Sequence, residues 1–189
     1  MSQTSTVLRR LLPALLAAAV SVGYAQTRSP SQFAADTIRQ TAMGPGSPVE
    51  VRVVPRQGPE LRELVSRHLD AALVRQAQAI SGRDYRYQFA DPELNRHVGT
   101  IVLRYSSSAV ARQMAGVLAP RRGYFRNTKI LIHFSAIPLG ALLLIVYSEN
   151  SGDDCIVQAL DKLPATFQKA AGPGAPAWSE SELGTNENP

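Results

Sequence analysis

Lys129–Ser148 reads KILIHFSAIPLGALLLIVYS, and the way this stretch divides decides the fold. Lys129 to Ser135 and Ala141 to Ser148 both have strand character, and Ile137-Pro138-Leu139-Gly140 supplies the turn chemistry of a β-hairpin. Leu142 to Val146 is apolar without a break. A strand with one wet face alternates, so an unbroken run marks a strand covered on both faces. It is far too short for the roughly 20 residues of a membrane span.

Working outward from the hairpin, Ser151-Gly152-Asp153 caps a final helix that carries Ile156, Val157, Leu160 and Leu163. Pro164 kinks or interrupts that helix, and Phe167 continues its packing side. Upstream, Ser106 to Ser108 offer N-caps for a helix to about Leu118, which Pro120 stops. Thr100 to Tyr105 is a strand, and Tyr85, Tyr87 and Phe89 alternate as another. Pro59 opens a helix whose apolar side, from Leu61 through Leu69 and Leu73 to Ile80, ends at Ser81-Gly82. Val49, Val51 and Val53 alternate with Glu50 and Arg52 as a first strand.

The order is therefore β-α-β-β-α-β-β-α, an α+β fold built on an antiparallel sheet. Phe89, Pro92 and Leu103-Arg104-Tyr105-Ser106 are echoed by Phe134, Pro138 and Ile145-Val146-Tyr147-Ser148. The echo suggests two hairpin-plus-helix repeats, with the helices packed mainly on one face. Residues 49–170 form the single domain. Residues 26–48, rich in Ser, Thr, Gly and Pro, read as a flexible linker with a short helical turn near Ser31 to Thr41. Residues 171–189 read as a disordered acidic tail.

Residues 1–25 have the layout of an export signal: Arg9 and Arg10, an apolar Leu11 to Val22, then Gly23-Tyr24-Ala25. Cleavage after Ala25 makes the mature chain periplasmic or secreted. The formal charge of +5 by itself suggests nucleic acid. Losing Arg9 and Arg10 leaves 18 basic and 15 acidic residues, and export removes the chain from nucleic acid. What persists is local. Residues 94–148 contain no Asp or Glu against Arg96, Arg104, Arg112, Arg121, Arg122, Arg126 and Lys129.

The helix from Ala109 to Leu118, the hairpin, and Ser148-Glu149-Asn150-Ser151-Gly152 leading to Ala159-Leu160 resemble the C-terminal domains of the TonB and TolA family. The resemblance covers about residues 109–170. It implies a periplasmic protein-binding module. Leu139-Gly140 stands where that family has Asp-Gly, and Cys155 lacks the partner of the TolA-type cysteine pair. No spacer or retained anchor accompanies the domain, so the resemblance does not extend to energy transduction.

Catalytic patterns are thin. His68, His97 and His133 have no helical ligand spacing, and a satisfied structural histidine is the plainer reading of each. Asp153 and Asp154 beside Cys155 disfavour a reactive thiolate. Cys155 is then a buried small residue or a route to a disulfide-linked homodimer, with burial the preferred reading. No phosphate-cradling glycine loop or His-Glu-x-x-His helix occurs, so no cofactor, metal site or catalytic residue is expected.

Arg121-Arg122-Gly123-Tyr124-Phe125-Arg126-Asn127-Thr128-Lys129 is the segment that stands out. Its cations can hold carboxylate or phosphate while Tyr124 and Phe125 either contact a partner or plug the core. The expected partner-binding residues are Arg121, Arg122, Tyr124, Phe125, Arg126 and Lys129. The expected function is a non-catalytic interaction module whose basic surface meets an envelope protein or anionic envelope component. The alternative is a binding protein or enzyme for an anionic ligand such as a lipopolysaccharide or peptidoglycan fragment.

Overall fold

Alternation along the strands gives the sheet two apolar faces, and helices cover both. The computed structural model describes residues 29–43, 48–119, 133–148, 154–172 and 178. Along the chain these form α1 (Pro30–Ala42), β1 (Glu50–Arg56) and α2 (Gly58–Val65). A π-helical turn (Ser66–Asp70) joins α2 to α3 (Ala71–Gln76), and β2 (Ala79–Gln88) follows. A 3₁₀ turn (Pro92–Leu94) leads to β3 (Arg96–Arg104), then α4 (Ser108–Leu118). The chain closes with β4 (His133–Leu139), β5 (Leu142–Ser148) and α5 (Asp154–Ala170). All five strands pair antiparallel in the order β1-β2-β3-β5-β4. The architecture is α+β.

Every residue of β5 is buried. Leu142, Leu144 and Val146 join Tyr85, Tyr87, Val98 and Val102 against α1 and α5. Leu143, Ile145 and Tyr147 join Ile80, Ile101 and Leu103 against α2, α3 and α4. The unbroken apolar run is thus a strand buried on both sides. Helices packed mainly on one face, the expectation drawn from the repeat, is corrected here. A one-sided arrangement would leave three large β5 side chains in water, at roughly 1.5–3 kcal/mol each. The two hairpin-plus-helix units send their helices to opposite sides, α4 to one and α5 to the other.

Residues 30–42 lie inside the segment expected to be a linker, yet they form α1. Ser29 caps it by accepting from the Gln32 amide at 3.1 Å, and Pro30 occupies its first turn. Ala34, Ala35 and Ile38 are fully buried, so α1 belongs to the core. Phe33 meets Phe167 edge-on at 4.9 Å, and Trp178 packs on both rings at 5.3 and 4.9 Å. Trp178 therefore departs from the disordered reading of the tail, whose other residues beyond Gly172 lie outside the described ones. The leader-like residues 1–25 lie outside them too.

The helix from Pro59 was expected to reach Ile80. It ends at Gln76, and Ser81-Gly82 sits within β2, where Gly82 is opposite Arg56 on one side and Ile101 on the other. Pairing on two sides holds these residues in the sheet, which outweighs the helical periodicity of Ile80. The β4–β5 turn is the two-residue Gly140-Ala141, with Gly140 at φ +62. Pro138 lies in β4, an edge strand, where proline is tolerated. α5 runs continuously through Pro164 and buries Leu163 and Phe167 on its two sides.

One row crosses all five strands in register: Val54, Asp84, Gly99, Tyr147 and Phe134. Tyr147 lies over Gly99, and a Cβ there would fall inside the tyrosine ring. Gly99→Ala should therefore destabilise the protein by about 1–3 kcal/mol through overpacking. Urea unfolding of Gly99→Ala in wild-type and Tyr147→Ala backgrounds checks this. The cost should largely vanish without the ring, and an equal cost in both backgrounds would contradict the packing account.

Candidate functional site

Each partner-binding residue expected from the sequence, Arg121, Arg122, Tyr124, Phe125, Arg126 and Lys129, lies outside the described residues. The other cations of the acid-free stretch do not converge. Arg96 and Arg104 stand at opposite ends of β3, and Arg112 is exposed on α4. The described residues place a different cationic cluster on the sheet face that also carries α2 and α4.

At its base is Asp84, 1% exposed on β2. The strand alternates, so Tyr85 and Tyr87 enter the core on one side while Gly82, Asp84 and Arg86 face the other. A buried carboxylate must be met by donors, and three strands supply them. Arg56 Nε from β1 donates to Asp84 Oδ2. His97 Nε2 from β3 lies 3.2 Å from Oδ1. Tyr147 from β5 reaches across Gly99 and donates its hydroxyl to Oδ1 at 3.3 Å. Burial pushes the Asp84 carboxyl up, but the hydrogen bonds and charges of His97 and Arg56 outweigh it and hold the group below its ordinary value.

Above this knot runs a cross-strand row of Arg52, Arg86 and His97. Arg86 and Arg52 are exposed, whereas Arg56 is half-buried against Asp84. A depression of about 320 Å³ is lined by Arg56, Arg86, Tyr87, Gln88, Asn95, Arg96 and His97. A second, of about 290 Å³, shares Arg56 and Arg86 and reaches Glu60 and Leu61 of α2. The β2–β3 connection shapes the rim: Asn95 Oδ1 accepts from the Phe89 amide at 2.9 Å, and Arg96 Nη1 donates to the Glu93 and Asn95 carbonyls at 2.8 and 3.0 Å. Ser148 Oγ donates to the His97 carbonyl at 2.7 Å and fixes that end of β3.

Asp84 and His97 have the carboxylate–imidazole form that orients a general base. Here, however, the remaining nitrogen, His97 Nδ1, is itself buried and meets no hydrogen-bond partner among the described residues. An imidazole so placed positions the carboxylate, and its remaining nitrogen is not turned out to the depression. Among the described residues no cluster of His, Cys, Asp and Glu could hold a metal ion. The arrangement can receive an anion through the exposed Arg86 guanidinium, with Arg56 committed to Asp84 and Arg96 Nη1 to the Glu93 and Asn95 carbonyls.

His68 and His133 are half-buried on α2's π-helical extension and on β4, away from His97's carboxylate partner. Cys155 is exposed, which corrects the reading of a buried small residue. It sits off the arc of α5 that Ile156, Ala159, Leu160, Leu163 and Phe167 turn to the core. Sequence reasoning missed Asp84 altogether, although an acid between Gly82 and Arg86 in a strand of alternating tyrosines was the available signal.

No family model, curated protein or solved structure matches this chain.

Asp84→Asn should cost about 2–4 kcal/mol, because it removes charge-assisted hydrogen bonds and leaves buried donors underused. The carboxyl titrates lower folded than unfolded, so its stabilisation is complete above the ordinary value of 3.8 and is lost as the pH falls through that value and below. Urea unfolding from about pH 6 down to about pH 3 should show a steeper acid loss in wild type than in Asp84→Asn. Parallel curves would count against the buried ionised group.

Proposed function

We propose that the protein is an exported, periplasmic, non-catalytic interaction module that docks an acidic envelope partner on its basic surface. The observation that carries this reading is the row Arg52, Arg86 and His97 on one sheet face, with the two arginines exposed and His97 turned inward onto Asp84. Exposed arginines aligned by a rigid sheet offer preset bidentate donors to carboxylates, with little side-chain ordering left for binding. The segment 121–129 leads into β4 at His133, which pairs with Ser148, the residue bonded to His97. The resemblance of residues 109–170 to TonB and TolA C-terminal domains, which rests on sequence motifs, is in keeping with a periplasmic protein-binding role.

One double and one triple charge reversal test this. Arg86→Glu with Arg96→Glu, and Arg121→Glu with Arg122→Glu and Arg126→Glu, should each reduce capture of partners from periplasmic extract about tenfold or more, with wild-type capture falling as salt rises. Circular dichroism confirms that the variants fold. Capture of the same partners at the same salt by wild type and both variants would overturn the reading.

Export is tested separately. Intact-mass measurement of the protein from a periplasmic fraction should find Gln26 as the first residue. An unprocessed chain retained in the cytoplasm would refute the localisation.

The depression supports a second reading, a binding protein for an anionic envelope ligand. Its volume of about 320 Å³ falls within the range of small-ligand sites. Calorimetric titration with lipopolysaccharide and peptidoglycan fragments separates the two, since saturable binding abolished by Arg86→Glu with Arg96→Glu favours the ligand reading.

A further inference from the structure

β1 has an outer edge that pairs with no strand among the described residues. Its apolar side is in water: Val49, Val51 and Val53 are 71%, 47% and 45% exposed. Edge strands are ordinarily blunted by charge, bulges or covering elements, because an open apolar edge is a template for another strand. On the opposite side of the strand a different mismatch appears. Arg52 lies directly across from Arg86, a like-charge pair that destabilises the sheet.

We propose that β1 pairs antiparallel with β1 of a second copy of this chain, about a two-fold axis through Val51, to make a continuous ten-stranded sheet. In that register Val51 meets Val51 of the second copy, and Val49 meets its Val53 twice over. The same register sets Glu50 opposite Arg52 of the second copy, again twice. Because strands alternate, all valines fall on one side and both ion pairs on the other. Each Arg52 then stands between its own chain's Arg86 and the other's Glu50, so the dimer sets an acid directly across from Arg52 on its outer side. An axis through Glu50 would set acid against acid, and one through Arg52 would set base against base beside two more arginines. An axis through Val53 brings Pro55 opposite Val51 and leaves Arg52 without an acid.

The occupant is a second copy because of this complementarity. A strand that fits the edge must carry valine-like residues at alternate positions, with an acid where Arg52 points and a base where Glu50 points. Residues 49–53 present that pattern to themselves. Such a two-fold contact is isologous and closes at two subunits. The pairing does not rest on the proposed docking function, and a failure of either leaves the other standing.

Analytical ultracentrifugation of the protein expressed from its complete sequence, in reductant to exclude a Cys155 disulfide, reads the result. Wild type should shift from monomer to dimer as its concentration is raised to about 100 μM, as suits a modest interface. Val51→Lys should be monomeric. Glu50→Arg alone and Arg52→Glu alone should each weaken dimerisation by about tenfold or more, since each sets like charges across the axis twice. Mixing those two variants should restore a dimer, now mixed, because each strand then supplies the charge that the other needs. Restoration also shows that both variants are folded. The proposal is overturned if wild type stays monomeric, if Val51→Lys still dimerises, or if the mixture associates no better than its components. Binding of a foreign strand to a monomeric wild type would likewise overturn it.

Discussion

A carboxylate taken out of water in the middle of a sheet must be satisfied by whatever its neighbouring strands can bring to it, and Asp84 is satisfied from three of them. Arg56 comes from β1, His97 from β3 and Tyr147 from β5. Tyr147 makes its bond only because Gly99 leaves the path across β3 open. This one group therefore fixes the register of four adjacent strands at a single row. A slip of one residue would turn Asp84 toward the tyrosine core and Tyr85 toward the arginines. The acid also decides where the positive charge goes. It holds Arg56 half-buried and keeps His97 turned inward, while Arg86 and Arg52 of the same face stay exposed.

Around that row the sheet has two different hydrophobic contracts to meet. One side is closed by α1 and α5, with Phe33, Phe167 and Trp178 gathered at their contact. The other is closed by α2, α3 and α4 over Ile101, Leu103, Leu143 and Ile145. Burial is thus complete at β5 and falls off toward β1, where the valines are exposed. The interior of the sheet supplies stability, and the surface chemistry collects along β1 and the neighbouring ends of β2 and β3.

Much of the fold was legible in the sequence because its signals were local. Leu142 to Val146 announced a doubly covered strand, Ser107 announced the cap of α4 that it makes to Val110, and Gly140 announced the hairpin turn. The side chosen by each helix was not local. The echo between Leu103-Arg104-Tyr105-Ser106 and Ile145-Val146-Tyr147-Ser148 suggested equivalent surroundings, but the strand faces that needed cover were opposite. The sequence showed a short helical turn near Ser31 to Thr41 but not the full α1 or its place in the core, since Ala34 and Ala35 contribute close approach and little hydrophobic signal. The site was hidden for another reason. Asp84, Gly99 and Tyr147 are far apart in sequence and meet only through register. With β3 read as starting at Thr100, His97 and Gly99 lay outside the strand and their side of it was invisible.

Function follows the same division between what is local and what is assembled. The run of cations at residues 121–129 is a property of sequence, whereas the row of Arg52, Arg86 and His97 exists only once three strands align. The proposed anion-receptive surface rests on an ionised Asp84 that holds Arg56 and His97 in place beneath it. Carbon-13 NMR titration of the side-chain carboxyl carbons, assigned with Asp84→Asn, tests that dependence most directly. The account requires the Asp84 carboxyl to titrate below the ordinary value of 3.8 in the folded protein. Titration at or above that value would mean that Arg56, His97 and Tyr147 do not hold the acid as described.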